Sequence, residues 1–206
     1  IAQNIRSGDV IAGIGVRDYG TLGQAKAGVS VHGLRGPISL NEFARAGFDV
    51  SKVSFLGDPG LLIRKLAPRG RKPIEGRVTF IPHYRERWMY RGKTPAWLNF
   101  VDIDNSPLAV ADEILESELI LTSSLHGIIF AHALERPVVF VAPQTNEPLL
   151  KFEDHYLAVG LDFPKPIESV WAFDLARAPS SPASIKQWPE IQMPSGEILA
   201  HYGVLS

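Results

Sequence analysis

The chain has 206 residues, of which 45% are hydrophobic and 21% charged, and its formal net charge is −1. This composition is typical of a soluble globular protein, and no apolar run is long enough to cross a bilayer. The absence of cysteine excludes a disulfide scaffold and any cysteine-based zinc site or nucleophile. We therefore expect a cytoplasmic protein. Because it begins at Ile1 in the middle of a pattern, we also expect part of it to be missing upstream.

The first half alternates short apolar strands with helices. Strands are predicted over 10–15, 29–33 and 53–56. Between the last two strands a helix is predicted, since Ser39 and Glu42 match a capping box and Gly47 ends the pattern. A short helix through Leu66 follows the third strand. This alternation indicates a parallel sheet.

The alternation restarts after a polar stretch over 67–75 that is rich in proline and arginine, which we interpret as a domain boundary. Beyond it, strands are predicted over 77–81, 99–103, 119–121 and 137–141, and helices over 107–117, 128–134 and 147–159. An extended, proline-rich segment covers 162–194, and a terminal helix is predicted over 196–202.

These elements predict an α/β fold with two Rossmann-like lobes and a cleft between them. Residues 1–72 would form the remainder of an incomplete N-terminal lobe. Residues 73–160 would form the C-terminal lobe, and residues 161–206 an extended wrapping segment with the terminal helix.

The turn after the strand over 119–121 is the strongest candidate for chemistry. Thr122, Ser123 and Ser124 are all good N-cap residues. The helix start would therefore offer an anion free backbone N–H groups and a positive dipole end. His126 falls in the first helical turn, where the dipole favours the neutral imidazole. The turn indicates an anion pocket with a titratable group at its mouth.

Polar residues also follow the other predicted strands. Because the carboxyl ends of parallel strands share one edge of a sheet, we expect these side chains to line one cleft. In the second half they are His83, Asp104, Ser123, His126 and Asn146; in the first half they are Arg35 and Asp58. We predict that His126 and Arg35 face each other across this cleft.

Each candidate also has a structural interpretation. His126 and the serines could simply cap their helix, and Arg35 could pair with a neighbouring carboxylate. Asp58 precedes a proline in a turn, where aspartate satisfies local backbone groups, and the segment containing His83 could be a turn. Three further residues are weaker site candidates, namely Gln144, Asn146 and Lys151. His132 points to another side of its helix and is interpreted as structural.

The segment over 64–93 is strongly basic. It contains ten lysine and arginine residues, including Arg85, against Glu75 and Glu86. Such a field would attract an anionic substrate or support peripheral association with the inner face of a membrane. The alternative is a solvated linker between domains. No nucleic-acid motif accompanies the segment, so nucleic acid is not an expected partner.

Several separated blocks resemble the polysaccharide pyruvyl transferase family. The run from Ser123 to Leu134, followed by a strand that begins with proline, resembles the family's signature. Upstream blocks resemble it in the right order at 34–37, 56–60 and 81–84, and a downstream block does so at 152–156. The resemblance covers roughly residues 29–160.

The resemblance implies a fold similar to GT-B glycosyltransferases. It also implies phosphoenolpyruvate as donor substrate without a cofactor, and a sugar or lipid-linked oligosaccharide as acceptor. The spacing of histidine and aspartate residues does not support a metal site, and the need for a divalent ion stays open. The product would be a pyruvate ketal on an exopolysaccharide or cell-wall polymer. Combined with the residue patterns, it assigns catalysis to His126 and His83. Substrate binding falls to Arg35, Asp58, Arg85, Ser123, Ser124, Leu125, Gly127 and Asn146.

Two features depart from the family pattern. Ser124 stands where many members have arginine, and the glycine-rich region expected upstream of Val10 is missing. Two other functions therefore stay open. One is a GT-B glycosyltransferase that uses a nucleotide sugar, and the other is a truncated, non-catalytic domain that binds carbohydrate.

Overall fold

The computed structural model describes residues 2–68 and 70–191. The predicted terminal helix over 196–202 lies outside the described residues. Within them, two separate parallel sheets alternate with helices, which is the expected α/β, Rossmann-like arrangement.

The first sheet has the strand order β1-β2-β3 and is parallel throughout. Its strands are β1 (Val10–Ile14), β2 (Ser30–Leu34) and β3 (Phe55–Leu56), and the helix α1 (Pro37–Arg45) connects β2 to β3. Inward-facing side chains of the strands pack with Phe43 of α1 in one apolar cluster. After β3, a 3₁₀ turn (Pro59–Leu62) runs into the short helix α2 (Ile63–Leu66).

The second sheet has the order β5-β4-β6-β7, again parallel. Its strands are β4 (Val78–Ile81), β5 (Leu98–Phe100), β6 (Leu119–Thr122) and β7 (Val138–Phe140). All residues of β4 and β6 are buried, as expected for central strands covered on both faces. The connecting helices are α3 (Arg87–Tyr90), α4 (Pro107–Leu115) and α5 (Leu125–Ala133), and α6 (Leu150–Ala158) follows β7.

The helix α1 corrects one sequence prediction. It begins at Pro37, so Ser39 and Glu42 lie inside it and do not form a capping box. The Asp154 carboxylate, which comes from α6, accepts hydrogen bonds from the backbone N–H groups of Ile38 and Ser39 and from the Ser39 hydroxyl. A distant carboxylate therefore satisfies the free donors at this helix start. Ser106, by contrast, caps α4 with its side chain, because its hydroxyl accepts from the Ala109 N–H.

The chain beyond α6 contains little regular structure among its described residues. A bridge pairs Val141 with Ile167, and two 3₁₀ turns cover Val170–Ala172 and Leu175–Arg177. The extended character of this segment agrees with its proline-rich sequence. The division of the chain at residues 72 and 160 stays a prediction.

Candidate active site

A cavity of about 640 Å³ lies where the carboxyl ends of strands from both sheets meet. Residues that follow β1, β2, β3, β4 and β6 line it, which is where parallel α/β sheets bind ligands. The start of α5 and the segment leading into α6 complete the wall. The polar and charged lining residues are Arg17, Arg35, Asp58, His83, Tyr84, Arg85, Asp104, Ser124, His126, Glu147 and Lys151.

His126 and Arg35 line this cavity from different sheets. His126 is the second residue of α5 and is exposed, so its imidazole is accessible from the cavity. Arg35 directly follows β2 and is 6% exposed. The two residues therefore line one cavity, as we predicted from their positions at the carboxyl ends of the strands.

The Arg35 guanidinium is held in place by its neighbours. Its Nε donates to Asp154 Oδ2 at 3.1 Å, and its Nη2 donates to the Val16 carbonyl at 2.5 Å. A Cβ atom at Gly15 would lie 2.3 Å from the Arg35 Cζ, so only glycine leaves room for the guanidinium. Burial lowers the pKa of Arg35, whereas the charges of Asp154 and Asp58 act in the opposite direction. Nη1 donates to no other described residue, which leaves one donor edge for an anion.

Three cationic or titratable side chains surround Glu147. Arg17 Nη2 lies 3.1 Å from Glu147 Oε2, and Lys151 Nζ lies 2.6 Å from Oε1. His83 Nε2 lies 3.9 Å from Oε2. The Glu147 side chain is only 6% exposed, so these contacts form in a largely water-excluded part of the cavity.

The surroundings shift the titration of this cluster. Burial, followed by the Lys151 charge, lowers the pKa of His83, so the imidazole is neutral at pH 7. Burial also lowers the pKa of Lys151, and the hydrogen bond to Glu147 opposes that shift. Burial opposes ionisation of Glu147, but the hydrogen bond and charge of Lys151, together with the charge of Arg17, hold its pKa below the ordinary value. The cavity thus contains a neutral imidazole beside a carboxylate–ammonium pair.

Three predicted binding residues do not reach the cavity. Ser123 is 1% exposed, and its hydroxyl accepts from the His83 N–H and donates to Glu86, both at 2.8 Å. Gly127 packs against Thr122, where a Cβ would lie 2.2 Å from the threonine Oγ1. Asn146 is exposed and outside the lining. The first two residues shape the turn, and we assign none of the three to substrate.

The remaining predicted residues do line the cavity. Ser124 is the N-cap of α5 without a side-chain capping bond, and Leu125 is the first helical residue. Asp58 accepts from the Gly60 N–H at 2.8 Å, so it makes the local turn contact that its sequence context indicates. Arg85 donates from Nε to the Tyr84 hydroxyl at 2.9 Å.

Sequence reasoning overlooked two buried carboxylates. Glu86 is fully buried and accepts hydrogen bonds from the Ser123 hydroxyl and from the N–H and hydroxyl of Thr145. In the sequence, Glu86 was recognised only as one of two acidic residues in the basic segment, and nothing indicated that it is buried. Glu147 had one usable signal, its spacing of four residues from Lys151 at the start of a predicted helix.

Five of the ten basic residues in the segment over 64–93 form ion pairs at the protein surface. The pairs are Arg64 with Glu135, Arg71 with Asp112 and Glu116, Arg77 with Glu113 and Glu116, Arg87 with Asp102 and Asp104, and Arg91 with Asp102. These carboxylates reduce the positive field that the sequence suggested. In the part of the chain that the structure describes, no helix is long and apolar enough to cross a bilayer. The same residues contain no group of three or more His, Asp or Glu side chains that could hold a metal ion.

Comparison with known proteins assigns the family. The sequence model of the polysaccharide pyruvyl transferase family matches residues 22–145, more than half of the chain. The chain belongs to the polysaccharide pyruvyl transferase family. An uncharacterised protein of Acanthamoeba polyphaga mimivirus is 30% identical over 171 residues, which cover 79% of this chain and 58% of that relative. The chain therefore spans well under two thirds of the relative's length. No solved structure matches the chain significantly.

The pyruvyl transferase match covers most of the cavity but not all of it. Arg35, His83 and His126 lie within the matched residues. Arg17, Glu147 and Lys151 lie outside them, so the structure adds three charged side chains to the site that the family match alone would not indicate.

Proposed function

We propose that this protein transfers a pyruvyl group from phosphoenolpyruvate to two hydroxyls of one sugar in an exopolysaccharide or cell-wall polymer. Family membership supports the reaction class. The observation that carries the proposal is the shared cavity, in which an accessible imidazole, a fixed guanidinium and the start of a helix meet.

The donor is a small dianionic acid, and the cavity offers it suitable partners. The backbone N–H groups in the first turn of α5 and the free edge of Arg35 are assigned to the phosphate. Ser124 stands where many family members have arginine. Arg85 lines the same cavity and is our candidate for the missing phosphate contact.

The reaction forms two C–O bonds and breaks one. A first sugar hydroxyl adds to C2 of phosphoenolpyruvate while C3 accepts a proton and becomes the methyl group. The C2–O bond to phosphate then breaks, and a second hydroxyl closes the cyclic ketal. Of the two hydroxyl protons, one balances the proton taken up at C3 and the other leaves with inorganic phosphate. The enzyme must therefore move protons and stabilise a leaving anion.

Two histidines are assigned to proton transfer. His126 is exposed at the cavity and is the proposed acid/base group. His83 is neutral at pH 7 because burial lowers its pKa, which suits a base for the acceptor hydroxyl.

Titration calorimetry with phosphoenolpyruvate tests the donor assignment. Arg35→Ala should weaken binding by about tenfold or more, because a charge-assisted hydrogen bond is lost. Arg45→Ala is the matched control, since Arg45 is an exposed arginine on α1. His126→Ala should retain donor binding but abolish phosphate release in the presence of the acceptor polymer.

Two other results would replace the proposal. Binding of a nucleoside diphosphate without binding of phosphoenolpyruvate would indicate a glycosyltransferase with a nucleotide-sugar donor. Binding of glycan without either donor would indicate a non-catalytic carbohydrate-binding domain. We also propose that the two sheets belong to two lobes arranged as in GT-B enzymes, which an experimental structure would test.

A further inference from the structure

We propose that Glu147 is the positioning residue of this cavity: it holds Lys151 and Arg17 as a second anion seat, for the donor carboxylate, and places a negative charge beside His83. The assignment of the carboxylate rests on the proposed function. The arrangement of the four side chains does not, because it follows from their contacts alone.

Glu147 contacts three side chains that come from different elements of the fold. Arg17 follows β1, His83 follows β4, and Lys151 lies in α6. Each of Glu147's oxygens has a cationic partner, Oε1 with Lys151 at 2.6 Å and Oε2 with Arg17 at 3.1 Å. A carboxylate with only 6% of its side chain exposed, held from two sides, fixes its partners more firmly than a surface pair would.

Lys151 and Arg17 keep donors for a ligand. The Lys151 ammonium has three N–H groups, and Glu147 is its one hydrogen-bond partner among the described residues. Its side chain is 13% exposed and that of Arg17 is 33% exposed, and both residues line the cavity. Arg35 lines the same cavity as Lys151. Three cationic side chains, those of Arg17, Arg35 and Lys151, therefore line one cavity, which suits a ligand with two anionic groups.

His83 provides an independent indication of unfilled binding capacity. It is 4% exposed and lines the cavity, and its Nδ1 has no hydrogen-bond partner among the described residues. A buried ring nitrogen without a hydrogen-bond partner is unfavourable unless a ligand supplies that partner. Its Nε2 lies 3.9 Å from Glu147 Oε2, so the carboxylate faces the ring at the opposite nitrogen.

The charged groups around His83 define the test. Lys151 and Arg85 lower its pKa, whereas Glu147 and Glu86 raise it. NMR titration of the histidine rings is practicable because the chain has only six histidines. Glu147→Gln should move the His83 midpoint to lower pH, and Lys151→Met should move it to higher pH. Two changes of opposite sign are not expected from a general loss of structure.

Control variants separate positioning from folding. Glu147→Asp keeps the charge and should return the His83 midpoint towards the wild-type value. Glu153→Gln removes a carboxylate on α6 that does not line the cavity, and should leave the midpoint unchanged. If Glu147→Gln fails to fold, the Lys151→Met and Glu147→Asp variants still decide the question.

Calorimetry with phosphoenolpyruvate tests the carboxylate seat. Glu147→Gln and Lys151→Met should each weaken binding by about tenfold, and binding of inorganic phosphate should change much less. An unchanged His83 midpoint in Glu147→Gln would overturn the positioning role. Unchanged phosphoenolpyruvate affinity in Lys151→Met would overturn the seat. If the wild-type protein does not bind phosphoenolpyruvate, the proposed function fails, while the NMR result still decides the role of Glu147.

Discussion

Acidification should destabilise this protein through one pair of buried histidines. His132 in α5 and His155 in α6 are 3% and 0% exposed, and their rings meet with Nδ1 of His132 3.0 Å from Nε2 of His155. Burial lowers the pKa of His132 to about 4, and burial together with the charges of His132, Arg35 and His126 lowers the pKa of His155. In the folded protein, both rings are therefore neutral at pH 7.

The sign follows from proton binding. The ordinary pKa of histidine is 6.5. Above that pH the two rings are neutral in both the folded and the unfolded protein, and the pair contributes its full stability. Between pH 6.5 and about 4 the unfolded chain binds a proton that folded His132 does not, so the free energy of unfolding decreases. The lowering of the His132 pKa from 6.5 to about 4 corresponds to a loss of about 3 kcal/mol in the free energy of unfolding. His155 acts in the same direction. For a domain stable by about 5–15 kcal/mol, this is a large loss.

Urea unfolding followed by tryptophan fluorescence at pH 7 and pH 4 measures the effect, since the chain has four tryptophans. In the double variant His132→Asn with His155→Gln, the amides stand in for Nδ1 and Nε2 without titrating. Between pH 7 and pH 4, its unfolding free energy should fall by at least about 3 kcal/mol less than that of the wild type, because His155 adds to the loss at His132. His32→Gln replaces an exposed histidine and should behave like the wild type. Equal losses in the double variant and the wild type would refute the reasoning.

Three further substitutions test the supports of the site. Gly15→Ala should displace the Arg35 guanidinium, because the added methyl group would lie 2.3 Å from Cζ. Phosphoenolpyruvate binding should then weaken by about tenfold. An unchanged affinity in calorimetry would argue against this. Asp154→Asn should lower the unfolding free energy by about 3 kcal/mol, because it leaves Arg35 buried without its countercharge. Urea unfolding measures this loss, and a loss below about 1 kcal/mol would contradict the prediction. Glu86→Gln should cost about 2 kcal/mol, since this buried carboxylate accepts from Ser123; the same assay checks it, and wild-type stability would be inconsistent with the role described.

The second sheet could be predicted because its central strands are buried on both faces. The apolar runs of β4 and β6 have no alternating pattern, which is the signature of a parallel sheet covered by helices. Helix boundaries were less accurate where tertiary contacts override local signals. At α1 the capping box was wrong, because Asp154 reaches the helix start from a residue that lies 116 positions beyond Ile38 in the sequence.

The candidate site was predictable where it depends on strand ends. Arg35, His83 and His126 follow β2, β4 and β6, and parallel topology alone brings them to one edge of their sheets. The cluster around Glu147 depends on how α6 packs against the first half of the chain, which no local pattern encodes. The burial of Ser123 likewise depends on Glu86, 37 residues earlier in the sequence.

The position of Asp154 also constrains how substrates reach the cavity. This carboxylate on α6 binds Arg35 after β2 and two N–H groups at the start of α1, so it fastens one half of the molecule to the other behind the site. If the cleft widened at that side, the fully buried Asp154 carboxylate would lose four hydrogen-bond donors at once. We therefore expect ligands to enter the cavity at its exposed rim, which includes Tyr84, Arg85 and Asp104.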